Sequence, residues 1–185
     1  MNDRIHEAQL VLGCQAGDRE ALEELLQGVQ AILFNFVRRL VGPDGAEDVL
    51  QDVFLEIIRH MRALQEPLFF RAWAYRIASR ASFSFLRKRK LWQVRHEEDI
   101  EMDELPNGLE ESSAILIEQL HHFLDGVSPA SRAVLILHYI EDLTIQEVAA
   151  ILQLSTGTVK SRLAYGLKCL RTATEGKGEF HGRSV

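Results

Sequence analysis

The sequence predicts an all-α protein built as two small helical domains joined by a flexible acidic linker. Three observations predict it. No stretch alternates apolar and polar residues with the period of a strand. Apolar residues recur at helical spacing along most of the chain. One segment breaks that pattern: residues 91–113 hold eight acidic side chains and one basic, with Pro106, Asn107 and Gly108 among them. A charged, turn-rich stretch without periodicity behaves as a linker. The plan is therefore a first domain at 1–90, the linker at 91–113, a second domain at 114–172 and a flexible, Gly-rich tail at 173–185.

Composition bounds this plan. A length of 185 residues, 46% of them apolar, suits one or two small domains with real cores. No run of eighteen apolar residues occurs, so direct membrane insertion is not expected. The opening residues lack a basic patch followed by an apolar stretch, so no secretory signal is expected there. Cys14 and Cys169 lie far apart without CxxC spacing, which fits the reduced thiols of a cytoplasm. The seven histidines are scattered, and His121 and His122 diverge on a helix, so no metal site is expected. The net charge of -6 belongs to the linker. Residues 1–90 carry 13 basic and 12 acidic side chains, and residues 114–185 carry seven of each. Both domains are free to carry local basic faces, so an acidic chain does not exclude nucleic acid.

In the first domain helices are expected at about 6–14, 18–41, 44–63 and 68–89, broken by Gly17-Asp18 and by Gly42-Pro43-Asp44-Gly45. In AEDVLQDVFLEIIRHM, residues 46–61, Ala46, Val49, Leu50, Val53, Phe54, Ile57 and Ile58 are expected to face inward. Glu47, Asp48, Gln51, Asp52 and Glu56 share the outer side. On spacing alone that side is a solvated face or an acidic docking surface for a basic partner. In LFFRAWAYRIASRASFSFLRKRK, residues 68–90, the expected core stripe is Phe70, Trp73, Ala74, Ile77, Ala78, Ala81 and Phe85. Arg76, Arg80, Phe83 and Arg87 recur at i, i+4, i+7 and i+11 beside it, and Lys88 lies in the run 87–90 that extends the basic surface. Arginines that meet phosphates, with a ring among them to stack on an unpaired base, suit single-stranded DNA. A basic helix end also complements the helix dipole.

In the second domain helices are expected at about 112–125, 129–140, 144–152 and 155–172. Ser128-Pro129 opens one, with proline at its first position. Thr144 and Glu147 have capping-box spacing, and Ser155 can cap the last helix. Val159, Leu163, Leu167 and Leu170 form the stripe to be buried there. Thr156, Thr158, Lys160, Ser161, Arg162 and Tyr165 are left outward. Two helices and a tight turn, with small polar and basic side chains at the front of the second, make a helix-turn-helix that can enter a major groove. A plain helical hairpin is the other reading. Nothing suggests an enzyme: no paired carboxylates, no nucleophile beside a base, and no P-loop around Gly13 and Gly17. No catalytic residue, cofactor or small-molecule substrate is expected.

Taken together, these pieces resemble a bacterial sigma factor of the extracytoplasmic-function type, group IV of the sigma-70 family. GDREALEELL resembles the opening of sigma region 2, and AEDVLQDVFLEI its core-polymerase-binding helix. FRAWAYRIA followed by LRKRK resembles the promoter-melting segment. VSPASRAVLILHYIEDLTIQEVAAILQLSTGTVKSRL resembles sigma region 4. The resemblance covers about residues 10–90 and 112–171. It implies a promoter-specific transcription initiation factor that binds core RNA polymerase. Asp48, Gln51, Asp52 and Glu56 would dock on the clamp helices of the largest polymerase subunit, and the second domain would meet the flap. Arg76, Arg80, Phe83, Arg87 and Lys88 would open and hold the −10 element. Thr156, Thr158, Lys160, Ser161, Arg162 and Tyr165 would read the −35 element as duplex. The linker would run through polymerase channels, mimicking nucleic-acid charge. An anti-sigma factor, often membrane-bound, would hold the protein inactive in the bacterial cytoplasm. The chain departs from the family pattern where Arg80 replaces a frequent Asn and Ser84 a frequent Asp. Tyr165, Leu167 and Cys169 stand where arginines are frequent, so the recognition helix is less basic. Two other classes remain at this stage: a stand-alone regulator that binds operator DNA through the second domain, and a pure interaction module.

Overall fold

The computed structural model describes residues 2–93 and 127–178, and every regular element among them is helical. The chain forms two compact units, Met1–His96 and Glu97–Val185. The expected helix at 112–125 and all but the first three residues of the expected linker lie outside the described residues.

The first unit contains α1 (Asn2–Ala16), α2 (Arg19–Val41), α3 (Pro43–His60) and α4 (Phe70–Gln93). Two short 3₁₀ turns, Met61–Ala63 and Pro67–Phe69, link α3 to α4. Asp18 starts α2 by accepting the backbone N–H groups of Glu20 (2.9 Å) and Ala21 (3.2 Å), satisfying donors that a helix start leaves open. Gly42 alone joins α2 to α3. Its φ of +89° lies where side chains are rarely tolerated, and its N–H closes α2 on the Arg38 carbonyl at 2.9 Å. The break expected across residues 42–45 is therefore one residue long. Pro43 already occupies the first turn of α3, and Gly45 is a buried helical residue.

Gly45 has a packing role. A Cβ there would stand 2.3 Å from Cζ of Phe85, so the aromatic ring occupies the space a side chain would take. The contact joins the start of α3 to the late part of α4, so these helices run antiparallel. Since α3 also reverses the direction of α2, α2 and α4 run the same way. Phe36 of α2 meets Tyr75 of α4 edge-on at 5.3 Å. The core comprises Leu25, Val29, Leu33, Phe36, Val37 and Leu40 of α2, Val49, Val53 and Ile57 of α3, and Phe70, Ala74 and Ala78 of α4. Polar ties anchor α1: Arg71 holds Glu7 (2.7 Å), and the Gln15 amide donates to the carbonyls of Met61 (3.0 Å) and Leu64 (2.8 Å).

Two expected faces are corrected by this packing. Ile58 is 44% exposed and Phe54 only half-buried, because α2 covers less of the width of α3 than its apolar stripe offers. On α4 the buried line is Phe70, Ala74, Ala78 and Ser82, with Tyr75 and Ser79 beside it. Trp73, Ile77, Ala81 and Phe85 are half-buried. The packed face is turned by roughly a fifth of a turn towards the small serines, because α2 sits against that side.

The second unit contains α5 (Pro129–Leu135), which widens into one π-helical turn at Ile136–Ile140, then α6 (Ile145–Leu152) and α7 (Thr156–Gly178). From within the π turn His138 Nδ1–H donates to the Leu143 carbonyl at 2.7 Å, and after the turn Asp142 takes φ +52°. The Thr144–Glu147 capping box is formed: the Glu147 N–H reaches the Thr144 hydroxyl (3.2 Å), and the Glu147 carboxylate accepts the Thr144 N–H (2.9 Å). Helix α7 runs six residues past its expected end at 172, so residues 173–178 of the expected tail are helical.

Candidate nucleic-acid interface

Within α4 the four residues at i, i+4, i+7 and i+11 fall in one line. At about 100° per residue, Arg76, Arg80, Phe83 and Arg87 lie within roughly 60° of one another. They face away from the Ala74–Ala78–Ser82 line. Arg80, Arg87 and Lys88 are exposed, while Arg76 and Phe83 are half-buried. Lys88 sits about 100° off the row. The helix has seven basic residues and no acidic one between Phe70 and Gln93. A ring flanked by cations on an exposed ridge can take a base on its face and phosphates on either side.

The front of α7 is built differently. Ser155 caps it, accepting the Thr158 N–H at 3.0 Å, and the Ser155 and Thr158 hydroxyls bond each other at 2.8 Å. The Ser161 hydroxyl donates to the Thr158 carbonyl at 3.0 Å, leaving its oxygen to accept. Thr158, Ser161, Arg162 and Tyr165 recur at i, i+3, i+4 and i+7 and share one side. Lys160 stands about 200° from Arg162 around the axis, on the opposite flank, and Thr156 is exposed in the first turn. Behind them Val159, Leu163 and Leu170 are buried, and Leu167 is half-buried. Gly166 completes that face: a Cβ there would meet Leu135 Cδ1 at 2.7 Å. Tyr165 is 37% exposed. Its hydrogen bond with the Cys169 thiol, then the charge of that thiol, then slight burial raise its hydroxyl above the ordinary tyrosine range.

On α3, Glu47, Asp48, Gln51 and Asp52 are exposed as expected. Glu56 is half-buried and already engaged by Arg59 (3.1 Å) and His60 (3.3 Å) of its own helix. The sequence reading missed the groove beside these acids. It measures about 440 Å³ and is lined by Gln30 and Phe34 of α2 with Glu47, Leu50, Gln51, Phe54 and Leu55 of α3. Gln51, Leu55 and Ile58 recur at i, i+4 and i+7, and the two apolar members are 43% and 44% exposed. The available signal was Leu55, an apolar residue on the charged side of an amphipathic helix. The groove opens on the side of α3 away from Gly45, where α4 packs.

Cys14 and Cys169 are both free thiols. Burial, with a smaller contribution from the Asp18 charge, raises the Cys14 thiol above its usual range. Among the described residues no group of His, Cys, Asp and Glu could hold a metal, and no helix is long and apolar enough to cross a membrane.

Known proteins share this arrangement. The family model for Sigma-70 region 2 matches residues 17–91, and that for Sigma-70, region 4 matches residues 123–172. The RNA polymerase sigma factor SigV of Bacillus subtilis (strain 168) is 31% identical over 145 residues, covering 78% of this chain and 83% of its own length. The ECF RNA polymerase sigma-E factor of Escherichia coli (strain K12) is 26% identical over 174 residues, covering 88% and 91%. Among solved structures, the sigma factor RpoE in complex with the anti-sigma factor NepR from Bartonella quintana shares the fold. Its TM-score is 0.64 at 22% identity, over 83% of this chain and 96% of that one. With both sigma regions matched in order, the chain belongs to the extracytoplasmic-function group of the sigma-70 family, the sigma factors that direct RNA polymerase to initiate transcription at particular promoters.

Proposed function

We propose that this chain divides promoter recognition among three separate surfaces: the α2–α3 groove for polymerase, the α4 row for the opened strand, and the α7 front for duplex. The observation that carries this reading is the opposition of groove and row within the first unit. The groove opens on the far side of α3 from the Gly45–Phe85 contact, so polymerase and DNA can occupy the unit together.

In this reading the clamp helices of the largest polymerase subunit lay apolar side chains between Phe34, Phe54 and Leu55. Glu47 and Gln51 of the groove lining, with Asp48 beside Leu55, meet basic and polar groups at the rim. Asp52, seven residues from Gly45, extends the acidic surface along the flank of α3 nearer α4, and Glu56 contributes by orienting Arg59 and His60. The second unit meets the flap. Arg80, Arg87 and Lys88 take phosphates of the −10 element, and Phe83 stacks on an unpaired base. Arg162, Ser161 and Tyr165 face −35 base edges, with Lys160 and Thr156 on the flanking backbone. Promoter opening needs no catalytic group here. The factor binds melted DNA more tightly than duplex, and polymerase performs the chemistry. The RpoE–NepR complex is one of a sigma factor with an anti-sigma factor. By the same logic an anti-sigma factor covering the groove would hold this chain inactive in the cytoplasm, at the membrane where that partner is membrane-bound.

The test is transcription with purified chain and core polymerase across a genomic promoter library. Transcripts should start at one class of promoter. Absence of association with core enzyme overturns the reading. Asp52→Arg narrows it. Like charges at a docked surface cost several kcal/mol, so core binding should fall sharply while the melting temperature of the free chain holds. Unchanged affinity in a pull-down removes the docking surface.

A further inference from the structure

The α4 row consists of cations and one ring, and the only side-chain amide on the helix is Gln93 at its end. Arginines hold phosphate and a ring stacks on any base, so the row alone is indifferent to base identity. A group that could tell bases apart stands on α2. Phe36 fixes how α2 meets α4, since its ring packs edge-on against Tyr75 at 5.3 Å. Around the α2 axis, Asn35 and Arg39 lie about 100° and 60° to one side of Phe36. Gln30 and Phe34, which line the groove with α3, lie about 120° and 160° to the other. Around the α4 axis, Arg76, Arg80, Phe83 and Arg87 lie about 80–140° to one side of Tyr75. Phe85, which meets Gly45 of α3, lies about 80° to the other. Asn35, Arg39 and the row therefore turn away from α3, on the same face of the α2–α4 pair. They also share a level, because the two helices run the same way. Arg39 lies roughly 4.5 Å beyond Phe36 along its axis, and Arg76 and Arg80 lie roughly 1.5 and 7.5 Å beyond Tyr75. Axes of packed helices stand about 8–10 Å apart, so one strand can touch both. Asn35 is exposed and Arg39 half-buried, and from Leu25 to Pro43 the chain has no acidic residue.

We infer that this flank of α2 is a second wall for the strand held by α4, and that Asn35 is the residue on it that determines base specificity. This rests on the reading of α4 as the helix that holds the melted promoter strand. A carboxamide carries an acceptor and a donor side by side. On the edge that a base turns to the major groove in duplex, only adenine answers both, with its N6 amino group beside N7. Guanine shows two acceptors there, cytosine a donor alone, and thymine an acceptor beside a methyl group. In an unpaired strand that edge is open to a side chain. Asn35 therefore selects adenine at one position of the strand, and Arg39, one turn further along the same flank, takes a neighbouring phosphate. The α4 row grips, and the α2 flank reads.

The experiment uses the holoenzyme of this chain with core polymerase and a set of fork-junction probes. The probes carry a promoter recovered from the genomic library, with each of the four bases placed in turn at each position of the unpaired strand. The wild type should prefer adenine at one unpaired position by roughly 5- to 150-fold, the equivalent of one bidentate base contact. Asn35→Ala should bring all four bases at that position to the level of the least favoured, with core association and duplex binding unchanged. Alanine is the better helix former at an exposed site, so this variant keeps its fold. Asn35→Asp should move the preference from adenine to cytosine, whose amino group a carboxylate accepts; a merely structural role for Asn35 would not produce that change. Arg39→Gln should weaken fork binding alike on every base. If Asn35→Ala leaves every base preference intact while Arg80→Gln with Arg87→Gln weakens fork binding, the α2 wall is refuted and the α4 row stands. If none of these variants alters fork binding in a holoenzyme that still forms, the reading of α4 itself fails. An Asn35→Ala variant that loses core association and keeps its base preference would make Asn35 a protein contact, which also overturns the inference.

Discussion

Helices α4 and α7 both turn a polar front to solvent, and they are built on opposite principles. Helix α4 carries seven cations and no carboxylate between Phe70 and Gln93. It buries two of its three serine hydroxyls, Ser79 and Ser82, in the core and leaves only Ser84 exposed. In its first ten residues α7 carries only Lys160 and Arg162 as cations, and it displays its hydroxyls, fixed by Ser155 and by one another. Charge holds phosphate without regard to sequence, whereas oriented hydroxyls and one arginine distinguish base edges and hold little. The comparison teaches a division of labour. In the proposed reading, a duplex-reading helix this poor in charge gains a second grip from α4, where basic residues outnumber acidic ones.

Each helix is seated on a glycine, and the largest expected effects come from filling those seats. Gly45→Ala drives a Cβ into the ring of Phe85 at 2.3 Å. Overpacking of this kind costs about 1–3 kcal/mol, and it would displace the carboxyl half of α4. Gly166→Ala meets the end of the Leu135 side chain at 2.7 Å. A leucine methyl yields more readily than a ring, so a cost below about 1 kcal/mol is expected. The two units can be read apart because both tryptophans, Trp73 and Trp92, lie in α4. Gly45→Ala should lower the melting temperature seen by tryptophan fluorescence. Gly166→Ala should leave that signal unmoved and shift only part of the circular dichroism transition. Equal shifts in fluorescence would show that the units do not melt independently.

The next effects test the division of labour itself. Arg80→Gln with Arg87→Gln should reduce the salt dependence of fork binding, by roughly 0.7 in slope for each lost single-strand phosphate contact. The loss should be similar on every sequence. Arg162→Ala should cost about 1–3 kcal/mol on the −35 duplex and relax the preference at one base pair. A uniform loss for Arg162→Ala would make it a phosphate contact and erase the contrast between the helices.

Much of this was legible in the sequence, for identifiable reasons. Caps are local, so Thr144, Glu147 and Ser155 were readable from spacing. The row on α4 was readable because four residues repeat at helical intervals. The faces were less readable, since periodicity gives the direction of an apolar stripe but not how much of it a neighbour covers. Ile58 and Phe54 were expected inside because they continue the stripe of α3, yet α2 stops short of them and leaves a groove. Ser79 and Ser82 were passed over because serine gives no apolar signal, and Tyr75 because it lies beside the expected stripe. The serines are buried because α2 packs where side chains are small, and Tyr75 because its ring meets Phe36 of α2. The role of Gly45 depends on Phe85, forty residues away, which no local pattern reveals.

The smallest expected effect separates the two helices by their hydroxyls. The Ser82 hydroxyl is fully buried and has no hydrogen-bond partner. A desolvated hydroxyl without a partner is unfavourable, and alanine is also the better helix former. Ser82→Ala should therefore stabilise the first unit by about 1 kcal/mol. For a domain of this size that raises the melting temperature by about 4–8 °C, again read by tryptophan fluorescence. The opposite sign is expected on α7, where Ser155→Ala removes the cap that binds the Thr158 N–H and costs about 1 kcal/mol. A lower melting temperature for Ser82→Ala would mean that its hydroxyl is bonded after all. Helix α4 would then hold hydroxyls for structure as α7 does, and the two fronts would differ in charge alone.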